Sequence, residues 1–289
     1  MADRKKIVKE NIAGNFFVDT TCIDCDTCRQ LAPASFKDAG DYSYVFSQPI
    51  TNEDRRDATR ALLACPTGSI GCDENNIAKE VIEDFPLLIE DNVYYCGFNS
   101  PKSYGGNAYF IEDPDGNWLI DSPKFNSHLV KEFEKRGGLK YIFLTHEDDV
   151  AESDRFAQHF DAKRIIHKAA QQACRDAEII LEDHSSEISL PADFEIIQTP
   201  GHTRGHIVLL YKNKYLFTGD HLAYNRHSER LTAFREHCWY SWEVQAESMQ
   251  NLANYDFEWI LPGHGGKTKL EPGTCREQVA ELAREMASA

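Results

Sequence analysis

Three thiols share one short loop as Cys22-x2-Cys25-x2-Cys28, and Cys65-Pro66 follows much further along the chain. Four thiolates can hold the corners of a cubane. A compact triple with a remote Cys-Pro fits an iron–sulfur cluster better than structural zinc, which more often takes two separate Cys-x2-Cys knuckles. A second set of metal-ligand types closes four apolar runs, "FLTH", "TPGHT", "FTGD" and "LPGHG", which end near His146, His202, Asp220 and His264. Imidazole and carboxylate at such turns can bind one cation and use it as a Lewis acid or a redox centre. The bland alternative is a fold that has lost its metal and keeps a few hydrogen-bonded histidines.

Two different scaffolds must position these residues. Up to about residue 76 the chain is Cys-rich and thin in apolar runs, so its own core is marginal and needs a staple. Beyond it, β-rich segments "NVYYC", "NAYFI" and "NWLIDSP" surround a turn at Asp113-Pro114-Asp115-Gly116. Then strands alternate with helical patterns: "KYIFLTH" before "DDVAESDRFAQHF", and "AKRIIH" before "KAAQQAC". "FEIIQTP", "HIVLLYK" and "KYLFTGD" follow, with a helix near 243–253, the strand "FEWILPGHG" and a C-terminal helix from about Arg276. The spacing predicts an α+β chain with domains at 1–78 and 79–289, the second built of sheets covered by helices.

A 42% apolar share over 289 residues can bury a large core, and a net charge of −16 repels phosphate backbones. Nucleic acid and membrane are therefore not expected partners. An electron-donor or acceptor protein, or a small reductant, is expected, together with a small-molecule substrate. The start "MADRKKIVKENIAG" lacks a hydrophobic leader, so a cytoplasmic protein is expected, or a mature one from the plastid stroma. In such compartments nine cysteines serve metal or redox duty rather than disulfides. Cys72, Cys96, Cys174, Cys238 and Cys275 are expected to be small buried thiols.

The segments "CIDCDTCRQLAPASF" and "CPTGSI" resemble the single-cluster bacterial ferredoxins over about residues 14–74. That resemblance implies a [4Fe–4S] cluster on Cys22, Cys25, Cys28 and Cys65, since Cys25 stands where [3Fe–4S] proteins carry Asp. From about residue 80 to 267 the four turns, with "YGGNAYFI" and "NWLIDSP", resemble the metallo-β-lactamase superfamily and imply its αββα sandwich. In that family's His-x-His-x-Asp-His motif, "HEDDVA" keeps His146, places Asp148 in the second His slot, and leaves Val150 and Ala151 where second-metal ligands belong. The second metal should be weak or absent unless Asp149 moves in beside His264. Asp121 would hold a ligand in place.

The remaining set, His146, His202, Asp220 and Asp148, offers two nitrogens with hard oxygens, which favours iron or manganese over zinc. Persulfide dioxygenases of this superfamily are similar in using the first three for one iron, and flavodiiron proteins in placing an acid in the second His slot. The whole chain resembles ferredoxin and lactamase-fold fusions of cyanobacteria and plastids. His206 and His221 could donate from outside the ligand set. Trp239 and Tyr240 of "HCWYSW" could wall the pocket, although such a run is more often core, and Arg204 could steer an anion. His128, His159, His167, His184 and His227 read as surface or packing residues.

An electron carrier fused to a hydrolase has no evident purpose, whereas a redox metal gives the fusion a reason. The leading expectation is an oxidoreductase coupling the cluster to a mononuclear iron. The alternatives are a metallohydrolase of a small ester or thioester with a structural or sensing cluster, and a non-enzymatic redox sensor. Only 25 residues follow His264, which argues against an appended substrate domain. No residue is singled out as the catalytic acid, base or nucleophile.

Overall fold

The computed structural model describes residues 2–183 and 190–288. His184, one of the histidines assigned to surface or packing, lies outside them. The N-terminal unit contains β1 (Phe16–Val18), α1 (Thr27–Leu31), β2 (Phe36–Asp38), β3 (Ser43–Val45), α2 (Asn52–Ala64), β4 (Ile70–Cys72) and α3 (Ile77–Val81). Thr51 starts α2 with a capping box: its hydroxyl accepts from Asp54 N while the Asp54 carboxylate accepts from Thr51 N. The helix ends at Cys65, whose position is thereby set by the last turn. A small core of Phe16, Val18, Phe36, Val45, Ala58, Ala61 and Ile70 fills this unit and includes no buried side chain beyond Ile77.

The rest is a sandwich. β5 (Leu87–Glu90), β6 (Val93–Tyr95), β7 (Tyr109–Ile111) and β8 (Trp118–Ile120) form an antiparallel meander. β9 (Tyr141–Phe143), β10 (Lys163–His167) and β11 (Ile179–Leu181) extend it in parallel, giving a sheet of seven. α4 (Ser127–Lys135) and α5 (Ser153–Phe160) cover its outer face, burying Leu129, Phe133 and Phe156 against Phe110, Leu119 and Ile142.

The second sheet holds β12 (Phe194–Gln198), β13 (Ile207–Tyr211), β14 (Tyr215–Gly219), β17 (Trp259–Pro262) and β18 (Thr268–Lys269). A hairpin of β15 (Ala223–Asn225) and β16 (Arg230–Thr232) leaves it after β14. α6 (Trp242–Leu252) and α7 (Cys275–Ser288) cover its outer face. Between the sheets, rings meet across the gap: Tyr109 against Phe217 at 5.4 Å and Trp118 against Phe194 at 4.4 Å. This is the four-layer order expected from the sequence.

Two local expectations change. "KAAQQAC" forms 3₁₀ turns over Lys168–Ala173 rather than an α-helix, since six residues are too few to repay helix nucleation. "HCWYSW" is not core, for Trp239 and Tyr240 are 64% and 51% exposed. Among the described residues no helix is long and apolar enough to cross a membrane.

Two candidate metal centres

The cysteine cradle is built by a loop and a helix end. Asp24 and Asp26 both take left-handed backbone conformations, with φ of 59° and 63°, and Arg29 ties their carboxylates at 2.6 Å each. Wound this tightly, the loop brings Cys22, Cys25 and Cys28 around a small pocket that Cys65 also lines. Backbone amides already point at the sulfurs: Ser43 N donates to Cys22 at 3.4 Å and Ser69 N to Cys65 at 3.3 Å. Burial pushes the Cys25 thiol up to about 11 and the Cys28 thiol well above its usual value, and neighbouring thiolates push both further. Four thiolates this close require cations between them, and a four-iron cluster supplies these, so the cradle fits that group. Cys96, Cys174 and Cys275 are buried as expected, while Cys72 and Cys238 are half-buried.

The second centre is gathered from four strand ends. β12 and β14 run the same way, since β13 pairs antiparallel with both, and β14 is parallel to β17. Their C-terminal ends therefore share one edge and present His202, Asp220 and His264. β9 of the other sheet leads into His146 on the opposite side. His146 Nε2 lies 3.8 Å from Asp148 Oδ2 and 3.7 Å from Asp220 Oδ2, and His202 Nε2 lies 3.6 and 3.7 Å from the same two atoms. These gaps are too long for hydrogen bonds but suit donors arranged about one ion at roughly 2 Å from each. Both Nε2 atoms are buried and have no hydrogen-bond partner among the described residues.

A relay fixes the tautomer of His146. Thr145 Oγ1 donates to Asp121 at 3.0 Å, which leaves it to accept from His146 Nδ1 at 2.9 Å. The lone pair of His146 then sits on Nε2, facing the centre. Asp121 thus acts through Thr145 rather than touching the ligand. Burial holds His146 down at about 4, so it stays neutral. His206 does for Asp220 what Thr145 does for His146: its Nε2 accepts from Asp220 N at 3.2 Å, with Nδ1 bonded to Thr199 Oγ1 at 2.9 Å. Gly219, at φ +47°, leaves the room for this, since a Cβ there would stand 2.7 Å from both His206 Nε2 and Thr145 Oγ1. His221 is buried with both ring nitrogens unpartnered among the described residues.

Asp149 lies beside Asp220. Glu147–Asp149 is a single 3₁₀ turn, in which neighbouring side chains point roughly 120° apart. Asp148 accordingly faces His146 and His202, while Asp149 turns inward toward Asp220 and His146. A Cβ on Gly263 would stand 2.7 Å from Asp149 Oδ2 and 2.8 Å from Asp220 Oδ1, which places those two carboxylates side by side. Burial, then the charge of Asp220, raises Asp149 well above the usual carboxylate range. Neither Asp149 oxygen has a hydrogen-bond partner among the described residues. Asp220 accepts from His264 Nδ1 at 2.9 Å. Burial pushes His264 down, but the charge and hydrogen bond of Asp220 together hold it up at about 10. His146, Asp148 and His202 thus form one donor group, with Asp220 Oδ2 3.7 Å from both imidazoles, and His146, Asp149 and Asp220 form a second that shares members with it, while His264 is engaged with Asp220 through Nδ1. Val150 and Ala151 take no part.

The open side is marked by Asp148, whose side chain is 50% exposed. Tyr104 packs near His264 and Trp239 near His202, with ring centroids 6.5 and 6.4 Å apart. Arg204 is exposed and, with His167 and Tyr240, borders a cavity of about 560 Å³ behind His206. His128, His159 and His167 bond to Phe85 O, Glu134 and Asp183, as packing or surface residues do, and His227 is exposed. Neither Thr145 nor Lys267 stands out in the sequence; Lys267 Nζ bonds to Gln30 of the N-terminal unit at 3.1 Å.

Known proteins share both halves. Residues 18–72 match the 4Fe-4S single cluster domain of ferredoxin I, and residues 103–264 match the metallo-beta-lactamase superfamily. A hydroxyacylglutathione hydrolase of Citrobacter koseri is 31% identical over 128 residues, 43% of this chain and 50% of the relative. The chain thus spans half the length of that relative. A probable metallo-hydrolase of Bacillus subtilis, YflN, is 27% identical over 251 residues, covering 67% of this chain and 94% of its own. The DIM-1 metallo-beta-lactamase structure superposes with a TM-score of 0.53 at 16% identity, covering 68% of this chain and 95% of that one. The chain therefore belongs to the metallo-beta-lactamase superfamily and carries a single-cluster ferredoxin domain ahead of the sandwich.

Proposed function

We propose that the chain is an oxidoreductase in which the cluster exchanges single electrons with iron held at the lactamase-type centre. The observation that carries this reading is the donor set: three carboxylates, Asp148, Asp149 and Asp220, beside three imidazoles, His146, His202 and His264. Oxygen-rich sets of this kind favour iron or manganese over zinc. Bound iron would supply one-electron chemistry on a small oxygen or sulfur substrate. The residues supply the rest. His146, His202, Asp220 and Asp148 would hold one ion, and Asp149 lies beside Asp220 and His146 at its inner edge. Thr145 and His206 fix orientation, and the exposed flank of Asp148 admits substrate between Tyr104 and Trp239. Electrons enter from a partner protein or a small reductant.

Metal analysis of anaerobically purified protein, with Mössbauer spectroscopy to count iron outside the cluster, tests this. The expected result is iron in excess of the four of the cluster. Stoichiometric zinc with no further iron would end the redox reading.

The second reading is a metallohydrolase of a small ester or thioester, and the names of the relatives favour it, at 31% and 27% identity. A metal-bound hydroxide would be the nucleophile, and Asp149, inclined to hold a proton, could pass one to a leaving group. Ester or thioester turnover that is unchanged when the cluster is reduced would support hydrolysis over electron transfer.

A further inference from the structure

The two ligand sets are separated by one dipeptide. A Cβ on Gly105 would stand 2.6 Å from Cys25 Cβ and 3.0 Å from Cys25 Sγ, and a Cβ on Gly106 would stand 2.9 Å from Asp149 Oδ1. Since consecutive Cα atoms are about 3.8 Å apart, a cluster sulfur and a carboxylate of the second centre lie within about 13 Å. Tunnelling decays exponentially with distance and is helped by covalent links, and here the backbone of one dipeptide bridges the middle of the gap. Larger side chains could not be accommodated: Gly105 has φ +88°, and at either position the added carbon would strike a ligand.

The dipeptide is also pinned from the cluster side. Asn99 is fully buried, and its Nδ2 donates to Gly105 O at 2.6 Å and to Thr27 Oγ1 at 3.1 Å. Tyr95 holds the other end of that amide through a bond to Asn99 Oδ1 at 2.8 Å. Thr27 Oγ1 lies 3.4 Å from Cys25 Sγ and 3.5 Å from Gly105 O. On the far side, Asn107 N donates to Gly263 O at 2.7 Å, tying the same segment to the turn that carries His264. Burying this many satisfied polar groups at a domain junction is costly unless the register matters.

We infer that Gly105 and Gly106 form an intramolecular electron path from Cys25 to Asp149, with Thr27 and Asn99 as positioning residues. The inference rests on the redox reading above. One electron leaves the reduced cluster, which passes from [4Fe–4S]+ to [4Fe–4S]2+, and one ferric ion at the second centre becomes ferrous. No bond is made or broken. A one-electron protein or small-molecule reductant reloads the cluster.

The test uses full-length holoprotein whose iron content has been established. The cluster is reduced by a substoichiometric pulse of dithionite, and rapid-freeze EPR follows the decay of its signal against the change at the second iron. The expected transfer is independent of protein concentration, about tenfold slower in Thr27→Val, and restored in Thr27→Ser, because a shift of about an ångström in a positioned group is costly. Arg226→Ala removes a separate junction contact, to the carbonyls of Arg29 and Gln30, and should leave the rate unchanged. Iron at the second centre with transfer that scales with protein concentration, or Thr27→Val as fast as wild type, overturns the path alone. Absence of iron there removes the redox reading itself and is seen before any kinetics.

Discussion

The cysteine cradle and the carboxylate–imidazole centre are both built to receive cations, yet they stand in opposite relation to their scaffolds. The cradle sits in a unit with a small core, and two of its four ligands lie on the loop that the cluster must shape, with a third in the first turn of the short α1. The second centre sits on the edge of a sandwich with three cores of its own, and each ligand is placed by a strand that exists without it. Metal and fold are therefore coupled in the first region and nearly independent in the second. Ion removal should damage one and spare the other.

The largest effect expected from this contrast is at Cys25. Cys25→Ala should abolish the cluster chromophore and destabilise the N-terminal unit by about 4 kcal/mol or more, as losses of structural metal do. Loss of the N-terminal transition in calorimetry, or a fall in its midpoint by roughly 20 °C, is the readout. A variant without cluster that melts like wild type would show that the small core needs no staple.

Asp220→Asn comes next. The carboxylate faces both donor groups, so metal affinity should fall at least about 100-fold across the centre while the sandwich melts within a few degrees of wild type. Equilibrium dialysis with iron(II), followed by calorimetry of the same sample, separates the two. A collapse of the sandwich would contradict the independence of scaffold and site.

Asp149→Asn sharpens the same contrast. The amide is isosteric and relieves a buried carboxyl that already favours its proton, so the metal-free protein should be unchanged or slightly more stable. Iron uptake should persist, with affinity lowered less than in Asp148→Asn, whose carboxylate lies 3.8 and 3.6 Å from His146 and His202. Equal losses in both variants would mean that Asp149 serves the ion as directly as Asp148.

The same contrast explains what could be read from the chain. Ligands contiguous in sequence, Cys22, Cys25 and Cys28, declare their chemistry by spacing, and Cys65 adds itself through the following proline. Strand ends carrying His146, His202, Asp220 and His264 were legible because each closes an apolar run. Asp149 could be named only as a conditional replacement, since the direction of a side chain in a 3₁₀ turn depends on a backbone period that six letters of motif do not reveal. Thr145 and His206 act through hydrogen bonds whose partners lie on other strands. The nearness of Gly105 to Cys25 depends on how two units dock, which no local pattern encodes. The aromatic run at Trp239 is rim rather than core for a related reason: its backbone is held by the His202 carbonyl, so the rings are left exposed beside the centre.

The smallest expected effect tests the sandwich far from any ion. Glu90, on β5, accepts from Lys214, Lys269 and Trp259 Nε1 and so joins the two sheets at one edge. Those bonds, the one from Lys214 first, hold its carboxyl down at about 2, against an ordinary value of 4.5. A carboxylate with a depressed folded-state pKa stabilises above its unfolded value and loses that contribution as pH falls through the folded one. The contribution should therefore be complete above about pH 4.5 and gone below about pH 2. Because the groups are partly exposed, screening keeps it under about 1 kcal/mol. Glu90→Gln should flatten stability between those limits in urea titrations and change little at neutral pH. Since no metal ligand titrates through Glu90, the same flattening should appear in metal-loaded and metal-free protein. A difference between them would tie this sheet edge to the centre after all.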